Sequence, residues 1–381
     1  MATPSRIRVA FCLDSFAIGG TELNAVRTAE ALDPERIELS VLHLQTHGPL
    51  RSRYERLGVR MTHIPIPSLY SPRSILQGFR AAALLRRWNI DVVHTHDLYT
   101  NIFMVPWARL LTRCSIVASR RWWYVAPRPE LVTANHWSCS LAHRILANSS
   151  GVARLLADAE GVSAKKVVEV PNFLSEEAFS TIDDAGRRAQ LAAWGVPEGA
   201  FVVGIVARLQ PVKNHELLLN ALGRLDSRFH AVLIGDGPSR VPLEAMARRL
   251  GIEPRVHFAG EVVSAQNLHR CFDVSVLCSH SESFPNSVIE AMAASRAVVA
   301  TPVGGVMDAV KDGTTGLLVP VDDPSELART LQMLEDDAEL RSRLGESSRR
   351  VVREKFGQEV VIEKLSGLYE SLAHCTHSME R

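Results

Sequence analysis

Glu282-Ser283-Phe284-Pro285-Asn286-Ser287-Val288-Ile289-Glu290-Ala291-Met292-Ala293 follows the short apolar run Val274–Leu277 and leads into a helical pattern. A short apolar run before a helix is what a strand buried on both faces looks like. Pro285 suits a first helical turn, where no N–H is needed. The amides of Asn286, Ser287 and Val288 would then face the carboxyl edge of a parallel sheet and offer an anion partial positive charge. Glu290 lies about one turn further in, and its carboxylate suits the vicinal hydroxyls of a ribose or hexose. Glu282, before the helix, suits sugar hydroxyls as well. The plainer alternative is that Glu282 and Ser283 cap the helix and Glu290 lies on a solvated face.

The same rhythm extends in both directions. Strand-like runs occur at Ile7–Leu13, Ile37–Leu44, Val59–Ile64, Asp91–His94, Ser115–Ser119, Arg144–Ala147 and Val167–Val170. They resume at Phe201–Val206, His230–Ile234, Val256–Phe258, Ala297–Ala300 and Gly316–Val319. Amphipathic stretches such as Pro72–Trp88 separate them. Alternation of this kind predicts an α/β chain with parallel sheets and helices on both faces. The polar, acidic stretch Asn172–Ala200 interrupts the rhythm and reads as the region between two domains, and from Pro324 the pattern is helical. A length of 381 residues also calls for two cores rather than one.

Composition excludes several classes. The chain is 46% hydrophobic and 22% charged, with mean hydropathy near zero, as ordinary globular proteins are. Its six cysteines include no C-x-x-C pair, which disfavours a disulfide framework or a zinc site and suits a reducing compartment. No stretch approaches the roughly 20 apolar residues of a membrane span. The apolar run before Asp14 is too short for a secretion signal. The expected location is cytoplasmic, at most peripheral at the inner face of the membrane. Charge is uneven: residues 1–175 carry 21 Lys and Arg against 13 Asp and Glu, and residues 176–381 carry 22 against 29. A basic half and an acidic half point to different partners, or to variation on solvated faces.

Two further loops bear on chemistry. The first strand is followed by Gly19-Gly20 at a helix start, where missing side chains let a ligand approach the backbone, or where a tight turn needs positive φ. The strand Phe201–Val206 is followed by Arg208 and Lys213, two cations placed where open α/β sheets bind ligands. Each charge-assisted bond to a diphosphate would contribute about 1.5–3 kcal/mol.

Two glutamates separated by seven residues, preceded by this Arg and Lys, resemble the family-4 retaining glycosyltransferases of GT-B fold. The likeness covers nearly the whole chain. It includes Gly19-Gly20, His94-Thr95-His96, Ala147-Asn148-Ser149, Pro171-Asn172, Gly235-Asp236-Gly237-Pro238, Gly304-Gly305 and Asp312–Pro320. The resemblance implies two Rossmann-like domains facing a cleft. Residues 1–175 would form an acceptor-binding domain joined by a crossing helix within 357–381, and residues 176–356 a nucleotide-sugar domain. It implies a hexosyl- or N-acetylhexosaminyltransferase that takes an NDP-sugar, UDP-sugar favoured, as co-substrate, with no cofactor and no metal. Arg208 and Lys213 would neutralise the donor diphosphate, and Glu282 would contact the transferred sugar. The Phe284-Pro285-Asn286 backbone would line the sugar pocket, with the Asn286, Ser287 and Val288 amides on the phosphate and Glu290 on the ribose. Gly19 and Gly20 would let the first domain approach the donor.

The chain also departs from the pattern. Many relatives place a His where this chain has Ser119-Arg120-Arg121. Of the remaining candidates, His94 and His96, the loop position favours His96 as the catalytic histidine. The acceptor is expected to be a glycan or lipid-linked, in surface polysaccharide or glycoconjugate synthesis. Arg120, Arg121, Trp122, Trp123, Tyr124 and Arg128 form a basic, aromatic loop suited to an anionic membrane or to a sugar ring. No nucleic-acid partner is implied. The alternatives are a GT-B nucleotide-sugar epimerase and a sugar-nucleotide-binding protein without turnover.

Overall fold

The computed structural model describes residues 6–69, 71–121, 129–262 and 265–378. The chain divides into two compact units, Met1–Asn172 with Glu359–Arg381, and Phe173–Gln358.

In the first unit, strands β1 (Ile7–Leu13), β2 (Ile37–His43), β3 (Arg60–His63), β4 (Val92–Thr95), β5 (Ser115–Arg120), β6 (Arg144–Ala147) and β7 (Val167–Glu169) form one sheet. The order is β3-β2-β1-β4-β5-β6-β7 and every pair is parallel. Helices cover both faces, so β1 is buried from Val9 to Leu13 without alternation. In the second unit, β8 (Phe201–Val206), β9 (Phe229–Ile234), β10 (Val256–Gly260), β11 (Val274–Leu277), β12 (Ala297–Ala300) and β13 (Leu317–Leu318) take the order β10-β9-β8-β11-β12-β13, again all parallel. Each unit is Rossmann-like, as the sequence rhythm predicts.

Both sheets grow outward on one side of their first strand and then resume on its other side. The direction reverses between β1 and β4, and between β8 and β11. At such a reversal the loops leaving two neighbouring strands diverge to opposite faces and open a crevice at the carboxyl edge.

The last helix, Gln358–Ser378, belongs with the first unit from Glu359 onward. Fully buried Tyr369 meets His94 Nδ1 at 2.6 Å, and Ser115 donates its hydroxyl to the Leu372 carbonyl at 3.0 Å. Arg36 pairs with Glu363 and Glu370, both at 2.7 Å.

The stretch expected to lie between domains is instead part of the second unit from Phe173. Ala178 and Phe179 are buried in the same apolar cluster as Phe284, Val288 and Val306. Arg270 donates to the carbonyls of Glu177 and Ala178, and Arg349 to that of Phe179. Its polar composition belongs to the outer surface of a packed segment. Among the described residues, no helix is long and apolar enough to cross a membrane.

Candidate active site

The second unit's crevice is built from two loops. After β8, Arg208 is exposed. Leu209 N–H donates to the Asp236 carbonyl at 3.0 Å, and Ser239 N–H to the Leu209 carbonyl at 2.9 Å. This backbone-on-backbone contact needs glycine at 235 and 237. Both have positive φ, of 137° and 154°, and a β-carbon there would overlap the Ala207 and Leu209 carbonyls. A turn over Pro211–Lys213 follows, ending at Asn214 in the left-handed region with φ 47°. Asn214 tolerates that conformation better than most residues, and its amide donates to Asp322 Oδ1 at 2.8 Å. His280 N–H donates to the Val212 carbonyl at 2.9 Å. Lys213 is therefore fixed on both sides.

After β11, Glu282 is held at both ends. Its Oε1 accepts from Lys213 Nζ and from Ser279 Oγ, each at 2.6 Å. The Ser279 carbonyl accepts from buried Thr301 Oγ1 at 2.6 Å, which fixes Ser279 in turn. The Glu282 carbonyl accepts from Gly305 N–H at 3.3 Å. Gly304 has φ 47°, and a β-carbon on it would overlap that same carbonyl oxygen. The sequence reading separated Lys213 and Glu282 into two roles; the fold makes them one ion pair.

The helix Asn286–Ala293 has Pro285 as its N-cap, one position earlier than expected. Val288 N–H is already bonded to the Pro285 carbonyl at 3.2 Å, which removes it from the amides assigned to phosphate. Asn286 and Ser287 occupy the first two positions of that helix. The Phe284 ring is buried and meets Phe356 edge-on at 5.3 Å, so only its backbone can line a pocket. Glu290 is buried, which rules out the solvated-face alternative. Beside Lys213, buried His215 has its pKa pushed down to about 4, by desolvation first and the Lys213 charge second. A neutral imidazole there leaves Lys213 as the local cation.

In the first unit, Gly19 caps the helix Gly20–Ala31 with φ −144°, so the positive-φ alternative does not apply. Nothing lies within 4 Å of where a Gly20 β-carbon would stand. Openness, rather than backbone conformation, is what Gly20 supplies. From β4, His94 is fully buried and engaged through both nitrogens, with Tyr369 at 2.6 Å and Ser119 Oγ at 2.8 Å. It fastens the last helix to the sheet. His96 stacks on His94 at 4.0 Å and meets the Phe11 ring at 4.4 Å, with no hydrogen-bond partner for either ring nitrogen among the described residues. Burial holds both histidines neutral, with pKa values well below the usual range, helped at His94 by the Arg121 charge and at His96 by His94 and then Arg121. Asp97 caps the helix Leu98–Leu111 through Thr100 and accepts from Asp14 N–H at 2.9 Å. Its pKa is pushed up to about 7, chiefly by burial.

Arg120 and Arg121 require a correction. Both are buried: Arg120 pairs with Glu160 at 2.7 Å, and Arg121 donates to Asn172 Oδ1 at 2.9 Å. Burial lowers the Arg121 pKa to about 10. Neither side chain faces a membrane. Trp122, Trp123, Tyr124 and Arg128 lie outside the described residues. Ser279, Thr301, Asn214 and Asp322 are the site residues that sequence reasoning missed. Asn214 alone carried a local signal, an Asn between a cation and a helix start.

Residues 18–177 match the model described as Glycosyltransferase Family 4, and residues 186–351 the model described as Glycosyl transferases group 1. A D-inositol 3-phosphate glycosyltransferase of Kribbella flavida is 30% identical over 346 residues, covering 84% of this chain and 79% of that protein. The chain therefore belongs to the group 1 and family 4 glycosyltransferases, of GT-B fold. Another relative of the same printed name, from Geodermatophilus obscurus, is 31% identical over 305 residues, which are 75% of this chain but only 62% of that protein's length. Among solved structures, HepE of Anabaena in complex with UDP has a TM-score of 0.84 at 20% identity, covering 96% of this chain and all of that one, a likeness of fold.

Proposed function

We propose that the chain transfers a hexosyl or N-acetylhexosaminyl group from a nucleoside diphosphate sugar, UDP-sugar favoured, to an anionic acceptor, with retention and without a metal ion. The observation that carries this is the Glu282–Lys213–Ser279 cluster at the β8/β11 reversal, with exposed Arg208 on the loop after β8 and the helix start at Asn286 on the loop after β11. In the reaction the bond from the anomeric carbon to the phosphate oxygen breaks, and the anomeric carbon bonds to the acceptor oxygen, whose proton passes to the departing diphosphate. Negative charge gathers on the departing diphosphate. Arg208, Lys213 and the leading amides of the helix stabilise it where it develops. Glu282 orients sugar hydroxyls and Glu290 those of the ribose. His96, neutral and buried, serves the first unit's side of the reaction.

An anionic acceptor is supported by the basic excess of residues 1–175 and by the inositol phosphate in the relatives' printed name. A phosphate-bearing lipid-linked glycan meets the same criterion and keeps the surface polysaccharide reading. The experiment is a thermal-shift screen of nucleotide sugars, followed by transfer assays with the stabilising donor, with and without chelator. A donor at about 100 times its Kd adds about 2.7 kcal/mol. Stabilisation by one donor and chelator-resistant transfer with retained configuration are expected. Epimerised donor, or binding without transfer to any anionic or glycan acceptor, would overturn the proposal.

A further inference from the structure

In the helix Pro72–Arg87 the usual sizes are inverted. The residues it buries are small apart from one: Ser74, Gly78, Ala81, Ala82 and Leu85. Three of its large apolar side chains face solvent, with Ile75 51%, Leu76 69% and Phe79 53% exposed. Isolated exposed apolar residues need no explanation, but a contiguous row does. Ile75 and Phe79 are four apart and Leu76 lies between them on the next row, so the three share one face. The row continues onto the neighbouring helix Leu98–Leu111. Phe79 meets the Trp107 ring at 5.1 Å, and Leu110, one turn beyond Trp107, is 71% exposed. Close packing is enforced by Gly78, where any β-carbon would overlap the Trp107 ring.

The charge of this face is of one sign. Arg73, Arg80, Arg86 and Arg87 are exposed on the first helix and Arg109 on the second, and neither helix contains Asp or Glu. A second copy of the chain would bring arginines against arginines. A soluble polyanion would use the arginines but leave Leu76 and Phe79 in water. An anionic bilayer satisfies both, because apolar side chains enter the acyl boundary while arginines meet headgroup phosphates. The helix is about 24 Å long at 1.5 Å per residue, enough to lie in the interface.

We infer that the Pro72–Arg87 helix, with the Leu110 end of its neighbour, is a docking face for anionic lipid surfaces. It presents an acceptor-binding unit to the plane in which lipid-linked or headgroup acceptors reside. Arg120 and Arg121, turned inward onto Glu160 and Asn172, are not part of it.

The test is co-sedimentation of the full chain with vesicles of phosphatidylglycerol mixed with phosphatidylcholine, and with phosphatidylcholine alone. Binding to the mixed vesicles that weakens with salt is expected, with little binding to neutral ones. Burying one such side chain is equivalent to about tenfold or more in partition. Leu76→Ser with Phe79→Ser should therefore lower binding by about a hundredfold, and Arg80→Glu with Arg87→Glu should abolish it. Melting temperature and UDP binding should match the unaltered chain in both variants, which separates lost docking from lost fold and from failure of the transferase reading. Absence of binding to anionic vesicles overturns the inference. So does binding that survives the serine pair, as a polyanion site would, or a dimer that the serine pair converts to monomer.

Discussion

Replacing Gly304 with alanine isolates the part of the donor site that local sequence does not show. Gly304 has φ 47°, and the new β-carbon would overlap the Glu282 carbonyl oxygen and stand 2.9 Å from its carbonyl carbon. The left-handed backbone alone costs an alanine about 1–2 kcal/mol. Relieving the overlap needs a further shift on the order of 1 Å, because ordinary contact begins near 3.4 Å. The shift falls on Glu282, whose carboxylate is bonded to Lys213 and Ser279. A displacement of about 1 Å at a reacting centre costs about a hundredfold in rate. Gly313 provides the control. Its φ is 69° and nothing lies within 4 Å of its β-carbon position, so Gly313→Ala carries the backbone cost without the overlap. Steady-state transfer kinetics and thermal melting of both variants are the assay. Gly313→Ala should lose about 2–8 °C in Tm and keep kcat; Gly304→Ala should lose at least as much stability and about a hundredfold in kcat. Equal kcat in the two variants would refute the view that the Gly304-Gly305 turn sets the position of Glu282.

Other consequences concern the buried polar groups. Tyr369→Phe leaves His94 Nδ1 without its 2.6 Å partner, and melting should show a loss of about 1–3 kcal/mol, with UDP affinity unchanged. Stability should fall on acidification. His215 and His269 have folded pKa values lowered to about 4 and about 3 by burial, so below about pH 6.5 the unfolded chain binds protons that the folded chain refuses. At about pH 5.5 each costs about 1.4 kcal/mol, and melting of the second unit should drop by about 4–12 °C from its value near neutrality. In the first unit His94 and His96 act in the same direction, while Asp97, raised to about 7, acts oppositely: its contribution is complete at low pH and is lost as pH rises through about 7. A flat melting profile between about pH 7 and pH 5.5 would contradict these assignments.

The strands were legible in the sequence because parallel strands covered on both faces must be unbroken apolar runs. Glu282 and Glu290 were legible because a helix start after a strand fixes where they stand. What escaped was pairing across the chain. Lys213 and Glu282 lie 69 positions apart, and no local spacing reports that β8 and β11 are neighbours. Arg120 and Arg121 misled for a related reason. An arginine normally signals exposure, but Glu160, 40 positions on, compensates Arg120 inside the fold. The amphipathic pattern of Pro72–Trp88 was visible, whereas the outward direction of Ile75, Leu76 and Phe79 depends on Trp107 filling the space over Gly78.

Calorimetric titration of UDP and of uridine into the full chain, unaltered and with Arg208→Ala and Lys213→Ala combined, tests the central claim most directly. With two charge-assisted contacts removed at about 1.5–3 kcal/mol each, UDP affinity should fall by at least about a hundredfold while uridine binds as before. Undiminished UDP affinity in the double variant would contradict the account.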